Sequence, residues 1–124
     1  MKYSRLEQWA EREVGALRRK LSPEIARHAD GIPVVCFPAP TREMVEDEGI
    51  EPDLLGLFVG PALDEAEGLD DPLPPEILLF LENLWDYAEE DPGIFREEVR
   101  RTYLHELGHY LGLEEDDMAP RDLD

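Results

Sequence analysis

Two histidines, His105 and His109, stand four residues apart in a stretch with helical character, and Glu106 directly follows the first. Side chains four positions apart lie on one face of a helix, so both imidazoles can reach a single point. Zinc accepts such nitrogens at about 2.0–2.1 Å. Glu106 lies beside that point, where it could hold a water molecule and take its proton. The spacing H-E-x-x-H therefore predicts a site for one zinc ion per chain and metal-assisted hydrolysis of peptide bonds.

The same two histidines could instead have no role in metal binding. Cationic imidazoles near the C-terminal end of a helix stabilise it by complementing its dipole. The neighbouring residues favour the metal site. Leu104, Leu107 and Leu111 supply apolar positions that can anchor the helix in a core. A metal-binding helix needs such an anchor, since its ligands must be held in a fixed orientation.

A third ligand is expected after the helix. Gly112 is suited to end the helix in a left-handed conformation and to turn the chain back toward the metal. The position ten residues after His105 is Glu115, and Asp116 follows it. A carboxylate at either position could complete three protein ligands and leave a fourth place for water. The alternative is that this acidic segment is simply solvated and binds nothing.

The elements that must position these residues carry local signals. Asp91-Pro92 is a cap followed by a first-turn proline, which predicts a helix over 92–111 ending at Gly112. Ser4 and Glu7 suggest a capping box, and apolar residues then recur at helical spacing over 5–21. Further segments are predicted as short helices at 23–29, 42–47 and 83–90, as strands at 32–37, 54–60 and 77–81, and as an acidic, proline-rich loop at 61–75.

This order of elements predicts one α+β domain over residues 1–124, with a short three- or four-stranded sheet packed against helices. These helices include the one over 92–111 that carries H-E-x-x-H, which we call the motif helix. Several aromatic residues are expected in its core: Trp9, Trp85, Tyr87 and Phe95. His28 is expected to be a surface or partly packed residue. Tyr110 points off the ligand face, so it is assigned no catalytic role.

Composition restricts the partners. Twelve basic and 31 acidic residues give a net charge of −19, which repels nucleic acids and anionic membranes and could steer a basic substrate toward a cleft. The only cysteine, Cys36, lies in an apolar run and is expected to be a small buried hydrophobe. No signal peptide and no apolar run of about 20 residues is present, so we expect a cytoplasmic monomer.

The segment from His105 to Met118, preceded by Glu97-Glu-Val-Arg-Arg-Thr, closely resembles the small bacterial zincin-like metallopeptidases, long catalogued as a domain of unknown function. The resemblance extends more weakly over 33–37 and 54–63. It implies a minimal zincin fold with His105 and His109 as metal ligands, Glu106 as general base and Glu115 in the third-ligand position. Metzincins carry histidine at that position, and Met118 follows too closely to form their Met-turn.

Two functions are compatible with these observations. The first is a zinc-dependent peptidase of the H-E-x-x-H-x-x-G-x-x-[E/D] type, with a peptide or protein as its substrate. The second is a non-catalytic, metal-stabilised module that binds a protein partner. Glu106 favours the peptidase, because a purely structural zinc site has no need of a base and usually closes with four protein ligands.

Overall fold

The computed structural model describes residues 1–66, 68–70 and 74–112. Within that part the chain forms six helices and three strands. In chain order they are α1 (Tyr3–Lys20), α2 (Pro23–Asp30), β1 (Val34–Phe37), α3 (Arg42–Glu46), β2 (Gly56–Val59), α4 (Leu63–Ala66), β3 (Glu76–Phe80), α5 (Leu81–Tyr87) and α6 (Pro92–Leu111). The architecture is α+β, which confirms the prediction from the sequence.

The sheet is mixed, and β3 lies at its centre in the order β1-β3-β2. β1 pairs with β3 in parallel, with Val34 opposite Ile77, whereas β2 pairs with β3 in the antiparallel direction, with Gly56 opposite Leu79. Because side chains alternate between the two faces of a strand, one face of the sheet presents a set of residues toward the helices. That set consists of Val34, Cys36, Gly56, Phe58, Ile77 and Leu79.

Helices α1 and α6 lie side by side and run in the same direction. Three contacts join residues that advance together along the two helices: Trp9 with Phe95, Glu13 with Arg100, and Arg18 with Tyr103. Phe95 and Tyr103 are fully buried in the core between these helices and the sheet. No helix in the described part is both long and apolar enough to cross a membrane.

The predicted start of α1 is wrong. The helix begins at Tyr3 with Lys2 as its cap, and no side chain donates or accepts a capping hydrogen bond there. The Lys2 carbonyl already accepts from the amides of Arg5 and Leu6, so Ser4 lies inside the first turn. Tyr3 packs against the core, which extends the helix beyond the local signal.

Two further predictions differ from the structure. The segment 61–75 was expected to be a loop, but it includes the four-residue helix α4, too short to produce an apolar period. Tyr87 was expected in the core, but 60% of its surface is exposed at the end of α5. Trp85 and Phe95 are buried as predicted, and Trp9 packs against both rings at 6.1 Å.

A glycine lets the motif helix approach the sheet closely. A Cβ atom added to Gly56 of β2 would lie 2.4 Å from Thr102 Cγ2 of α6 and 3.2 Å from the Leu78 carbonyl oxygen. Only a residue without a side chain fits between these two elements. The contact therefore places β2, an edge strand, directly along the motif helix.

Candidate metal centre

The ends of α6 are fixed by the residues that the sequence indicates. The Asp91 side chain accepts a hydrogen bond from the Ile94 amide at 2.9 Å, and Pro92 occupies the first turn. Gly112 ends the helix in the left-handed conformation with φ of 72°, and its amide donates to the carbonyls of Gly108 and His109. The predicted bounds of 92–111 are confirmed, so the two histidines lie on the last two turns of a regular helix.

The structure brings His105, Glu106 and His109 together. One ligand atom from each residue can be chosen so that all three lie within 4.8 Å of one another. The two imidazole rings are 4.5 Å apart between centroids and inclined at 60°. Both histidines are exposed, whereas Glu106 is 8% exposed, with one carboxylate oxygen 3.6 Å from His109 Nδ1.

These donors fit a zinc ion. Imidazole nitrogens and carboxylate oxygens are ordinary zinc ligands, and catalytic sites use three protein ligands with one position left for water or substrate. In the described part of the chain, His105, Glu106 and His109 lie close enough together to hold a metal ion. The exposed imidazoles make the site accessible from solvent, and the buried carboxylate lies toward the protein.

The buried polar residues of the described part form one stripe along α6. Glu98, Thr102 and Glu106 are each 8–9% exposed and follow one another at intervals of four residues. Thr102 packs against Gly56, and Glu98 pairs with Arg101 at 3.1 Å. Thr102, at the centre of the stripe, lies where the motif helix packs against β2. The spacing of the stripe's members is visible in the sequence, from which only Glu106 is predicted as a site residue.

A neighbouring side of α6 is held by Tyr103. Arg18 Nε donates to the Tyr103 hydroxyl at 3.1 Å, and Arg18 Nη2 donates to the Ile32 carbonyl at 2.7 Å. One guanidinium thus joins α1, the residues before β1, and the motif helix. Burial raises the pKa of the Tyr103 hydroxyl, while the hydrogen bond from Arg18 opposes that increase. The side chain therefore stays neutral and fixes the rotation of α6.

The remaining candidates occupy other positions. Glu115 and Asp116 lie outside the described residues. His28 is half-buried, as predicted, with its ring 6.4 Å from the Tyr110 ring. Tyr110 packs 5.6 Å from Phe58 of β2. Cys36 is only partly buried, and burial, together with Glu7 and Glu11, raises the pKa of its thiol to about 11.

Comparison with known proteins identifies the family. No curated protein gives a significant match to the chain. A family model described as "Zincin-like metallopeptidase" matches residues 29–124, which include all three strands and the whole of α6. This match covers most of the chain and agrees with the α+β fold and with the group of potential ligands on α6. The chain belongs to the zincin-like metallopeptidase family.

Proposed function

We propose that the protein is a zinc-dependent peptidase in which Glu106 is the general base. The observation that carries the proposal is the grouping of two exposed imidazoles and one buried carboxylate within 4.8 Å on α6. In such a group the exposed imidazoles can bind a metal from the solvent side, and the buried carboxylate can act as a base beside it. The family to which the chain belongs supports the same assignment.

His105 and His109 would hold the zinc ion. When bound, zinc lowers the pKa of a coordinated water to about 7 and polarises the carbonyl of the scissile bond. We assign the third protein ligand to Glu115, with Asp116 or water as the competing choices. The arrangement leaves space for substrate because both imidazoles are exposed to solvent.

Glu106 would take the proton of the attacking water and return it to the leaving amine. Its side chain is nearly excluded from solvent, and one carboxylate oxygen lies 3.6 Å from His109 Nδ1, so the carboxylate is held next to the proposed reacting atoms. A base fixed in this way does not need to be ordered when the substrate arrives. General base catalysis of this kind contributes about 10²–10⁴-fold to a rate.

The free edge of β2 is the proposed binding site for the peptide. The Phe80 amide donates to the Leu55 carbonyl, so the alternation of an antiparallel pair turns the backbone groups of Gly56 and Phe58 away from β3. An extended substrate could pair with those groups as an added strand. Because β2 lies along α6, that strand would pass beside the histidines.

The net charge of −19 favours basic peptides. A strongly negative protein raises the local concentration of cationic ligands, and salt screens this effect over about 10 Å at 0.1 M. We therefore expect cleavage of lysine- and arginine-rich peptides to slow as ionic strength rises. Cleavage of an uncharged peptide should be less sensitive to salt.

The test combines metal analysis with cleavage of a generic fluorescent peptide library. We expect about one zinc per chain, and either His105→Ala or His109→Ala should abolish tight zinc binding. Glu106→Gln should retain zinc but lower the cleavage rate by about 100-fold or more. Glu97→Gln makes the same change at an exposed position of α6 and should leave cleavage unaltered.

The outcomes separate the peptidase from the non-catalytic module. Zinc binding without any cleavage that depends on Glu106 would favour a metal-stabilised module. Full zinc content in both histidine variants would refute the metal site itself.

A further inference from the structure

A groove separates α1 from β1, at the sheet edge opposite β2. Its volume is about 440 Å³. Residues from one face of α1 form one wall of the groove, and three consecutive residues of β1 form the other. The fully buried Leu79 of β3 lies at the bottom of the groove. We call this feature the α1–β1 groove, and its lining residues are Glu7, Ala10, Glu11, Val14, Gly15, Arg18, Val34, Val35, Cys36 and Leu79.

The free backbone edge of β1 lines this groove. The Ile77 amide donates to the Pro33 carbonyl at 3.0 Å. With Val34 opposite Ile77, this bond determines which β1 residues turn their backbone groups toward β3. Alternate residues then turn toward β3, and the N–H and C=O groups of Val34 and Cys36 point away from it. Among the described residues, none forms a backbone hydrogen bond to that outer edge. The groove therefore presents two donors and two acceptors in extended geometry.

This edge lacks some of the usual protection against strand pairing. Edge strands commonly carry charged residues or are covered by other elements. β1 contains only Val34, Val35, Cys36 and Phe37, and all four are partly exposed. Its short length and the flanking Pro33 and Pro38 limit pairing to a short segment.

Two carboxylates give one part of the groove a negative charge, whereas Arg18, the other charged residue of its lining, donates to the Tyr103 hydroxyl and the Ile32 carbonyl. Glu7 and Glu11 lie one helical turn apart on its wall, and neither has an ion pair or side-chain hydrogen bond within the described part of the chain. Both contribute to the raised pKa of the Cys36 thiol, so their field reaches the strand across the groove. An occupant with a cationic side chain between apolar ones would match this wall.

We propose that the α1–β1 groove binds an extended segment of a partner protein, which adds to β1 as a strand and places lysine or arginine against Glu7 and Glu11. Main-chain hydrogen bonds to Val34 and Cys36 supply affinity, and the carboxylates supply specificity. A second copy of this chain is disfavoured, because a symmetric contact would bring identical carboxylates and two net charges of −19 together. The site is separate from the proposed metal centre on α6.

The test uses the peptide acetyl-Val-Thr-Lys-Thr-Val-amide and its counterpart with glutamate in place of lysine. Residues 1, 3 and 5 of such a strand share one face, so lysine lies between two valines. We expect the lysine peptide to shift the backbone amide NMR signals of Val34 and Cys36 and to slow their hydrogen exchange. The glutamate peptide should do neither at the same concentration.

Three variants make the test specific. Glu7→Gln combined with Glu11→Gln should weaken binding about five- to tenfold. Glu24→Gln combined with Glu48→Gln changes the net charge equally at exposed positions away from the groove and should bind normally. Gly15→Leu should fill the groove and block binding without harming the fold, because an added Cβ meets only Arg19 Nη1, at 3.7 Å.

Equal binding of both peptides, or shifts at Gly56 and Phe58 of β2 instead, would overturn the proposal. A dimer in sedimentation that Gly15→Leu dissociates would also overturn it, because a second copy would then occupy the groove. His105→Ala should abolish zinc binding but retain the response of Val34 and Cys36. Failure of the peptidase assignment and failure of the groove proposal are therefore distinguishable.

Discussion

His105 and Glu106 are neighbours in the chain but lie in opposite environments. A step of one residue along a helix turns the side chain by about 100°, which places His105 in solvent and Glu106 at 8% exposure. The difference suits the two proposed roles, since a ligand must reach an ion at the surface and a base must be held in place. The grouping of His105, Glu106 and His109 could be predicted because the relation between them is local to one helix.

The third ligand belongs to the same scale and is the first prediction. Glu115 is ten residues after His105, and its extra methylene gives it more reach than Asp116. We therefore expect Glu115→Ala to weaken zinc binding more than Asp116→Ala in titrations at one pH. If Asp116→Ala has the larger effect, the assigned position is one residue in error. If neither variant weakens binding, water completes the site.

Tyr3 supports a second prediction at the level of one residue. Its hydroxyl is buried, and in the described part of the chain it has no hydrogen-bond partner. An unpaired buried hydroxyl costs about 1–3 kcal/mol, so Tyr3→Phe should increase the free energy of unfolding at pH 7. Urea denaturation measures the change, and Tyr87→Phe, at an exposed position, is the control.

The same variant should change the response to alkaline pH. Burial first, and then the nearby Cys36 and two glutamates, raises the pKa of Tyr3 from 10.0 to about 12. The neutral form is favoured in the folded state, so this contribution is complete below pH 10 and is lost as pH rises toward 12. The stability advantage of Tyr3→Phe should therefore widen between pH 10 and 12. A constant difference over that range would contradict the assignment.

At the scale of elements, helix ends that depend on local residues could be predicted from the sequence. Helix ends that depend on tertiary packing could not. The bounds of α6 are confirmed because Asp91, Pro92 and Gly112 act within one turn of each end. The start of α1 depends on the packing of Tyr3 against distant residues, which no local pattern contains. The order β1-β3-β2 also joins segments far apart in the chain, so strands could be predicted individually but their pairing could not.

Gly56 illustrates the same limit and supports the third prediction. Nothing next to it in the sequence indicates that Thr102, 46 positions later, would lie against it. Gly56→Ala should destabilise the fold by about 1–3 kcal/mol, because the new methyl group clashes with Thr102 Cγ2. The free energy of unfolding measures this effect, and zinc affinity should fall with it if β2 and α6 separate.

A second substitution checks that the clash is the cause. Thr102→Ser removes Cγ2 and should restore most of the stability lost in Gly56→Ala, although the Leu78 carbonyl at 3.2 Å leaves some strain. The coupling between the two changes should be at least about 0.5 kcal/mol. Additive effects would show that the two side chains do not compete for the same space.

At the scale of the whole molecule, the core and the metal centre are distinct. Most residues of the core come from α1, α2, β3, α5 and α6, and the core forms one cluster, whereas His105 and His109 lie at the surface. Three aromatic rings, Trp9, Trp85 and Phe95, pack together near the start of α6, several turns away from His105. The apolar contacts that hold the fold therefore do not pass through the proposed ligands.

This separation leads to the last prediction: removal of zinc should not unfold the protein. Zinc fingers unfold without metal because the ion replaces a core, but here the buried core is continuous without the site. After treatment with a chelator, urea denaturation should remain cooperative, with a lower midpoint. The shift should correspond to the stabilisation that bound zinc adds to the folded state, about 2.7 kcal/mol at a free zinc concentration 100 times Kd. His105→Ala should match the chelated protein and should not respond to the chelator. A broad, non-cooperative transition in the chelated protein would instead mean that the metal organises the core, and the site would then be structural.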